Sequence, residues 1–175
     1  MGNGVICLDV ETTGLHSTDE ILQLAIIDDL GDILFYDYFK PLTKKVWPEA
    51  QKIHGISPPM VQDKKSICFH KPKIEDILRK SDTVVGYNII NYDLKFLHSS
   101  GITIPEMTVY DVMLEFADIC GEWSEYYQNN KWQKLCTCAE YYGYPHLENL
   151  HDSMEDTRAT LYCYKIMSSK SSDNL

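Results

Sequence analysis

The stretch Val5–Gly14, read VICLDVETTG, constrains this chain more than any other. Val5, Ile6, Cys7, Leu8 and Val10 make a short apolar run between Gly4 and Gly14, the pattern of a strand buried on both faces. Asp9 and Glu11 interrupt that run. Side chains two apart on a strand point to the same face, so the two carboxylates stand side by side. Burying one unpaired charge is costly, and two like charges together cost more. Such a strand either runs out into solvent, leaving ordinary surface acids, or holds a cation between them. Oxygen-only ligands suit a hard divalent ion such as Mg²⁺ or Mn²⁺.

The rest of the sequence supplies a domain around that strand. A chain of 175 residues with 44% hydrophobic and 11% aromatic content suits one globular domain with a single core. We expect it over residues 1–168, with residues 169–175 as a disordered polar tail. No apolar stretch approaches the ~20 residues of a membrane span. The first residues hold neither the basic region nor the apolar core of a signal peptide, and Ile6 stands where a myristoylation motif wants Ser or Thr. The six cysteines show no C-x-x-C pairing. Reduced thiols in a cytoplasmic protein fit them better than a disulfide framework or a zinc site.

A net charge of −10 limits what the surface can bind. Nucleic acid held without regard to sequence is held by Lys and Arg on phosphates. This chain can do so only locally, over a few nucleotides. Lys64, Lys65, Lys71, Lys73, Arg79 and Lys80 are six of the sixteen basic residues. They read first as a solvated loop and helix face, and second as a local phosphate rail.

Strand patterns at Ile21–Ile27 and Ile33–Phe39, joined by the turn Asp28-Asp29-Leu30-Gly31-Asp32, make an antiparallel meander with the first strand. The period then changes. Helices are predicted at Trp47–His54, Lys73–Lys80, Asp93–Ser100, from Asp111 through Ile119, at Trp132–Tyr142 and at Ser153–Met167, with strands at Thr83–Tyr87 and Thr108–Asp111. Gly121–Lys131 reads as irregular. The whole is an α/β fold: a mixed five-stranded sheet covered by helices.

Two helices carry an acid on their apolar stripe. Ala159, Tyr162, Cys163 and Ile166 define the buried face of the last helix, and Asp156 falls on it, in the first turn. Asp152 and Glu155 form a capping-box pattern that starts this helix and leaves His151 in the loop before it. Asp93 shares a face with Phe96, Leu97 and Ser100. A first-turn Asp also serves as a plain cap, and a lone His as a packing residue, so neither helix decides the matter alone. Together, four carboxylates directed inward would repel one another unless metals bind them. Two divalent ions about 3.5–4 Å apart are the usual arrangement for displacement at phosphorus.

These residues resemble a known family. Asp9-Val10-Glu11-Thr12-Thr13-Gly14, Asn88-x4-Asp93 and His151-x4-Asp156 are similar to the three motifs of the DEDDh, DnaQ-like 3′–5′ exonucleases, which have a ribonuclease H-like fold. The similarity runs from Val5 to about Met167. Ile53-His54-Gly55-Ile56 and Leu135–Gly143 also resemble segments of proofreading subunits and domains of bacterial DNA polymerases. The resemblance implies release of 5′-mononucleotides from a 3′ end, with Asp9, Glu11, Asp93 and Asp156 as ligands of two Mg²⁺ or Mn²⁺ ions and His151 as general base. It implies contact with the terminal nucleotide from Thr12, Thr13, Gly14 and Leu15, with His54 and Asn88 as further candidates. Single-stranded DNA is the expected substrate, on the polymerase likeness alone. RNA stays open, as does docking on a polymerase or another assembly through Trp123, Tyr126 and Tyr127, and a homodimer is a further possible partner. Core or loop packing is the plainer role for those three aromatics.

Overall fold

The computed structural model describes residues 4–126 and 128–172. Five strands form one sheet: β1 (Val5–Thr12), β2 (Ile21–Asp28), β3 (Ile33–Tyr38), β4 (Thr83–Gly86) and β5 (Thr108–Asp111), in the order β3-β2-β1-β4-β5. The first three are antiparallel, while β4 runs parallel to both β1 and β5. Among the described residues the α-helices are α1 (Pro48–His54), α2 (Pro58–Val61), α3 (Ile67–Arg79), α4 (Asp93–Ser99), α5 (Val112–Cys120), α6 (Leu135–Tyr142) and α7 (Ser153–Ser172).

Alternation along β1 assigns the two cores. Ile6, Leu8 and Val10 pack on one face with Ile74 and Leu78 of α3 and Phe96 and Leu97 of α4. Cys7 points the other way, into a cluster with Val112 and Phe116 of α5, Cys138 and Ala139 of α6, and Ala159 and Cys163 of α7. Asp9 and Glu11 continue the Cys7 side. Across the ladder Asp9 faces Ala25 and Glu11 faces Gln23, so small and polar neighbours surround the acids. Gln23 breaks an apolar run for a reason visible only in three dimensions. Its side-chain nitrogen donates to Asp152 and to the Tyr36 hydroxyl, and its oxygen accepts from the Ser153 N–H. One buried amide thus pins the start of α7 beside β1.

Several boundaries differ from expectation. The helix read as Lys73–Lys80 begins at Ile67, because Pro72 sits within it instead of starting it. Ile67, Ile74 and Leu78 make a continuous buried stripe, which outweighs the main-chain bond that Pro72 forgoes. The helix at Trp132 starts only at Leu135: Lys134 is still extended, and the Gln133 carbonyl before it accepts from the Tyr87 hydroxyl. The irregular stretch contains a small hairpin, β6 (Trp123–Ser124) with β7 (Asn129–Asn130), too short to show a period in sequence. α7 continues through Ser172, so residues 169–172 of the expected tail are helical; 173–175 fall outside the described residues, as does Tyr127. Trp123 and Tyr126 are exposed, against the packing role expected of them. Within the basic cluster, Lys64 pairs with Asp37, Lys71 with Glu75, and Arg79 and Lys80 with Asp76, while Lys65 and Lys73 lie over the Phe69 and Phe35 rings. Among the described residues, no helix is long and apolar enough to cross a membrane.

Candidate active site

Asp9, Glu11 and Asp156 each offer a carboxylate oxygen, and these three oxygens lie within 4.8 Å of one another. Two come from one face of β1 and the third from the first turn of α7, where Asp156 donates its N–H to the Asp152 carbonyl. Asp152 caps that helix by accepting from the Met154 N–H. The expected capping box does not close, because the Glu155 carboxylate instead accepts from the Tyr144 hydroxyl. Asp93 stands apart from the trio. It is 1% exposed, and its Oδ1 accepts from the Val10 N–H at 2.9 Å, which fastens α4 to the strand between Asp9 and Glu11.

The electrostatics follow from crowding. Burial pushes the Asp9 carboxyl well above the usual range, and the charges of Asp93, Asp156, Glu11 and Asp152 push it further. Burial, then Asp156, Asp93 and Asp152, raises Glu11 to about 8. Asp93 is raised to about 8, chiefly by burial, although its own N–H and that of Val10 pull it back. Asp156 reaches only about 6, since the His151 N–H and imidazole offset part of its burial. Acids held this close either keep protons at neutral pH or exchange them for cations. The donor set is all oxygen and anionic, and therefore fits hard divalent ions.

His151 is exposed and lies in the loop before α7, as expected, with a left-handed backbone (φ 85°) that few non-glycine residues adopt. That conformation aims its N–H at Asp156 Oδ1, 3.0 Å away.

The turn after β1 is built from its own side chains. A bulge at Glu11/Thr12 bends the strand end. The Thr12 hydroxyl donates to the Gly14 carbonyl and meets the Tyr92 hydroxyl at 2.6 Å. The Thr13 hydroxyl donates to Asp19, which Lys44 pairs at 2.9 Å. Both threonine hydroxyls are thus committed inside the turn. A Cβ on Gly14 would come within 2.6 Å of Asp19 Oδ2, so its lack of a side chain is required by the protein itself. Leu15, by contrast, projects with 81% of its surface exposed. The Nδ1 of His54 accepts from the Ile56 N–H, so Nε2 carries the proton and donates to the Thr12 carbonyl at 3.1 Å. Burial lowers the His54 pKa, consistent with this neutral ring. These residues line an open cavity of about 580 Å³ that reaches from Glu11 past Leu15 to Val46, Ile53 and Tyr92.

Asn88 lies in the loop between β4 and α4. Its N–H donates to Asp111, and its side-chain oxygen is buried without a partner among the described residues. Asp111 was not singled out in the sequence, yet it also accepts from the Ile90 and Met113 N–H groups and so holds the loop that leads into α4. Its signal was an Asp at a strand end immediately before a helix, where a cap is expected. Tyr92 and Gln23 carried no such signal.

Comparison with known proteins places this geometry. A family model described as RNase T exonuclease matches residues 6–164. A protein of Escherichia phage 186 named as an uncharacterized exonuclease is 29% identical over 172 residues, covering 89% of this chain and 84% of that protein. The structure resembles a zinc-bound complex of Escherichia coli exonuclease I with single-stranded DNA (TM-score 0.75, 21% identity, 97% of this chain). It also resembles the catalytic unit of Neurospora crassa Pan2, described as a protease and nuclease domain (TM-score 0.72, 18% identity, 99% of this chain). The chain spans 41% of the exonuclease I chain and 28% of the Pan2 chain. At these identities, the structural likeness establishes the shared ribonuclease H-like fold.

Proposed function

Since the chain belongs to the exonuclease family, we propose that it removes 5′-mononucleotides one at a time from the 3′ end of single-stranded DNA by hydrolysis. The observation that carries this reading is the convergence of Asp9, Glu11 and Asp156 to within 4.8 Å beside buried Asp93. A 3′–5′ polarity and DNA as substrate rest on the motif resemblance and on the single-stranded DNA named for the exonuclease I complex.

In this mechanism Asp9, Glu11 and Asp156 would hold one divalent ion, and Asp93 beside them would support a second. When bound, Mg²⁺ or Mn²⁺ ions at these acids supply Lewis acidity and offset the charge that develops on the phosphoryl group and on the departing 3′ oxygen. His151 accepts the proton of the attacking water, a role that suits an imidazole. The bond formed is from water oxygen to phosphorus and the bond broken is from phosphorus to the 3′ oxygen, leaving a 5′-mononucleotide and a new 3′-hydroxyl. Thr12, Thr13 and Gly14 offer main-chain groups to the terminal nucleotide, and exposed Leu15 offers an apolar surface to its base. His54 holds the Thr12 carbonyl in place, and Asn88, whose side-chain oxygen has no partner among the described residues, is a further candidate for substrate contact.

The test is direct. Single-stranded DNA and RNA oligomers labelled at the 5′ end are incubated with Mg²⁺ or Mn²⁺, beside an Asp9→Ala control. A ladder that shortens from the 3′ side, faster on DNA and absent in the control, is the expected result. A preference for RNA would move the substrate to an oligoribonucleotide, and internal cuts would remove the exonuclease mechanism.

A further inference from the structure

A second cavity, of about 440 Å³, includes Leu15 in its wall but none of the acids. Leu15, His16 and Tyr92 line both spaces, so the two adjoin at these residues. The walls differ in chemistry. The first cavity begins at Glu11; the second is lined by His16 and by Asn91, Lys95 and His98, which share one face of the α4 region. Tyr92 and Phe96 add an aromatic pair, with ring centroids 4.9 Å apart.

These bases are uncommitted. Lys44, Lys52, Lys64, Lys71, Arg79, Lys80 and Lys131 all pair with carboxylates. No carboxylate of the described residues forms an ion pair with Lys95, His16 or His98. Lys95 Nζ is held only by the Asn91 side-chain oxygen, at 3.3 Å. In a chain of net charge −10, a cavity lined by unpaired bases and by no carboxylate is suited to an anion. The half-buried Tyr92 ring beside them suits a nucleobase, backed by the buried Phe96 ring.

We propose that this second cavity takes the nucleotide immediately 5′ of the terminal one, with Lys95, supported by His16 and His98, gripping the phosphate of that upstream linkage. The proposal rests on the exonuclease reading of the neighbouring cleft and adds how an acidic protein retains its strand. Only a substrate with a second phosphate can use this contact.

Lys95→Gln and Lys95→Arg are therefore compared with wild type on a short single-stranded oligonucleotide and on the p-nitrophenyl ester of thymidine 5′-phosphate, which has no upstream linkage. For Lys95→Gln, the oligonucleotide KM should rise roughly fivefold, as expected for one solvent-screened charge contact. The slope of log KM against log salt should fall by about 0.7, the share of one phosphate on a single strand. Ester hydrolysis should be unchanged, and Lys95→Arg should restore the oligonucleotide KM. An unchanged KM and salt slope, or equal losses on both substrates, overturns the assignment. A wild type that cleaves neither substrate overturns the exonuclease reading, and this assignment with it.

Discussion

The main-chain N–H of His151 donates to Asp156 Oδ1 at 3.0 Å, so residue 151 holds an acid of the cluster with its backbone while its imidazole stays exposed. The two roles are separable, because any residue supplies the N–H. His151→Ala and His151→Gly both remove the imidazole, and glycine adopts the φ of 85° without strain. Both variants should lose turnover by roughly 10²–10⁴-fold, the range for one general base. Mn²⁺ affinity measured by calorimetry should stay near the wild-type value in His151→Gly. Retained turnover in either variant would show that the imidazole takes no part in the chemistry.

Crowded acids also predict how the metal-free protein responds to pH. Glu11 and Asp93 are raised to about 8 and Asp156 to about 6, so the folded state binds their protons more tightly than the unfolded chain does. Stability from this source is complete below the ordinary carboxyl values of about 4 and is lost as pH rises through about 6 and then 8. In EDTA, Tm should fall between pH 5.5 and 8.5 by several degrees, at about 2–4 °C per kcal/mol for a chain this long. Mn²⁺ should reverse the fall. Asp93→Asn keeps an oxygen for the Val10 N–H but removes one charge, so its metal-free Tm should decline less. A flat profile in wild type would mean that the acids do not interact as their spacing demands.

The sequence made the first strand and both acid-bearing helices legible because each carries a local contradiction, a charge on an apolar face. Asp9, Glu11 and Asp156 needed only the periods of strand and helix to be set facing one another. What escaped was set by partners far along the chain. Gln23 looked like an interruption until Asp152 and Ser153 arrived beside it from 129 and 130 residues away. Tyr92 gained meaning only through Thr12, and Asp111 through the loop at Asn88. At α3 the helix begins six residues before the expected Lys73 and tolerates Pro72 within it, because the burial of Ile67, Ile74 and Leu78 carries it.

Gly14 gives a sharp case of a motif residue whose constraint lies within the protein. Its missing Cβ is replaced by Asp19, which cannot retreat: it accepts from Thr13 and from the His16 N–H and pairs with Lys44. Gly14→Ala should displace that carboxylate and cost roughly 1–3 kcal/mol, the range for overpacking a tight site. Thermal unfolding at fixed metal concentration reads this as a lower Tm, and oligonucleotide KM should rise as the turn shifts. Wild-type stability with a raised KM would place the constraint on the substrate side instead.

His54 is bonded on both ring nitrogens, to the Ile56 N–H and to the Thr12 carbonyl, and so joins the end of α1 to the bulged end of β1. It touches none of the acids, and its neutral form does the work. Substitution should therefore disturb positioning more than chemistry. His54→Leu fills the space but removes both bonds, a loss of about 1–2 kcal/mol at ordinary net values per hydrogen bond. Its KM for a single-stranded oligonucleotide should rise severalfold while kcat changes little, because the Thr12 main chain is freed but the acids stay in place. Burial lowers the His54 pKa, so its contribution is present above the unfolded value near 6.5 and is lost as pH falls below it. Wild type should thus lose affinity for the oligonucleotide on acidification, and His54→Leu should lose less. A kcat that collapses with KM unchanged would instead put His54 among the groups that act on the reacting phosphate.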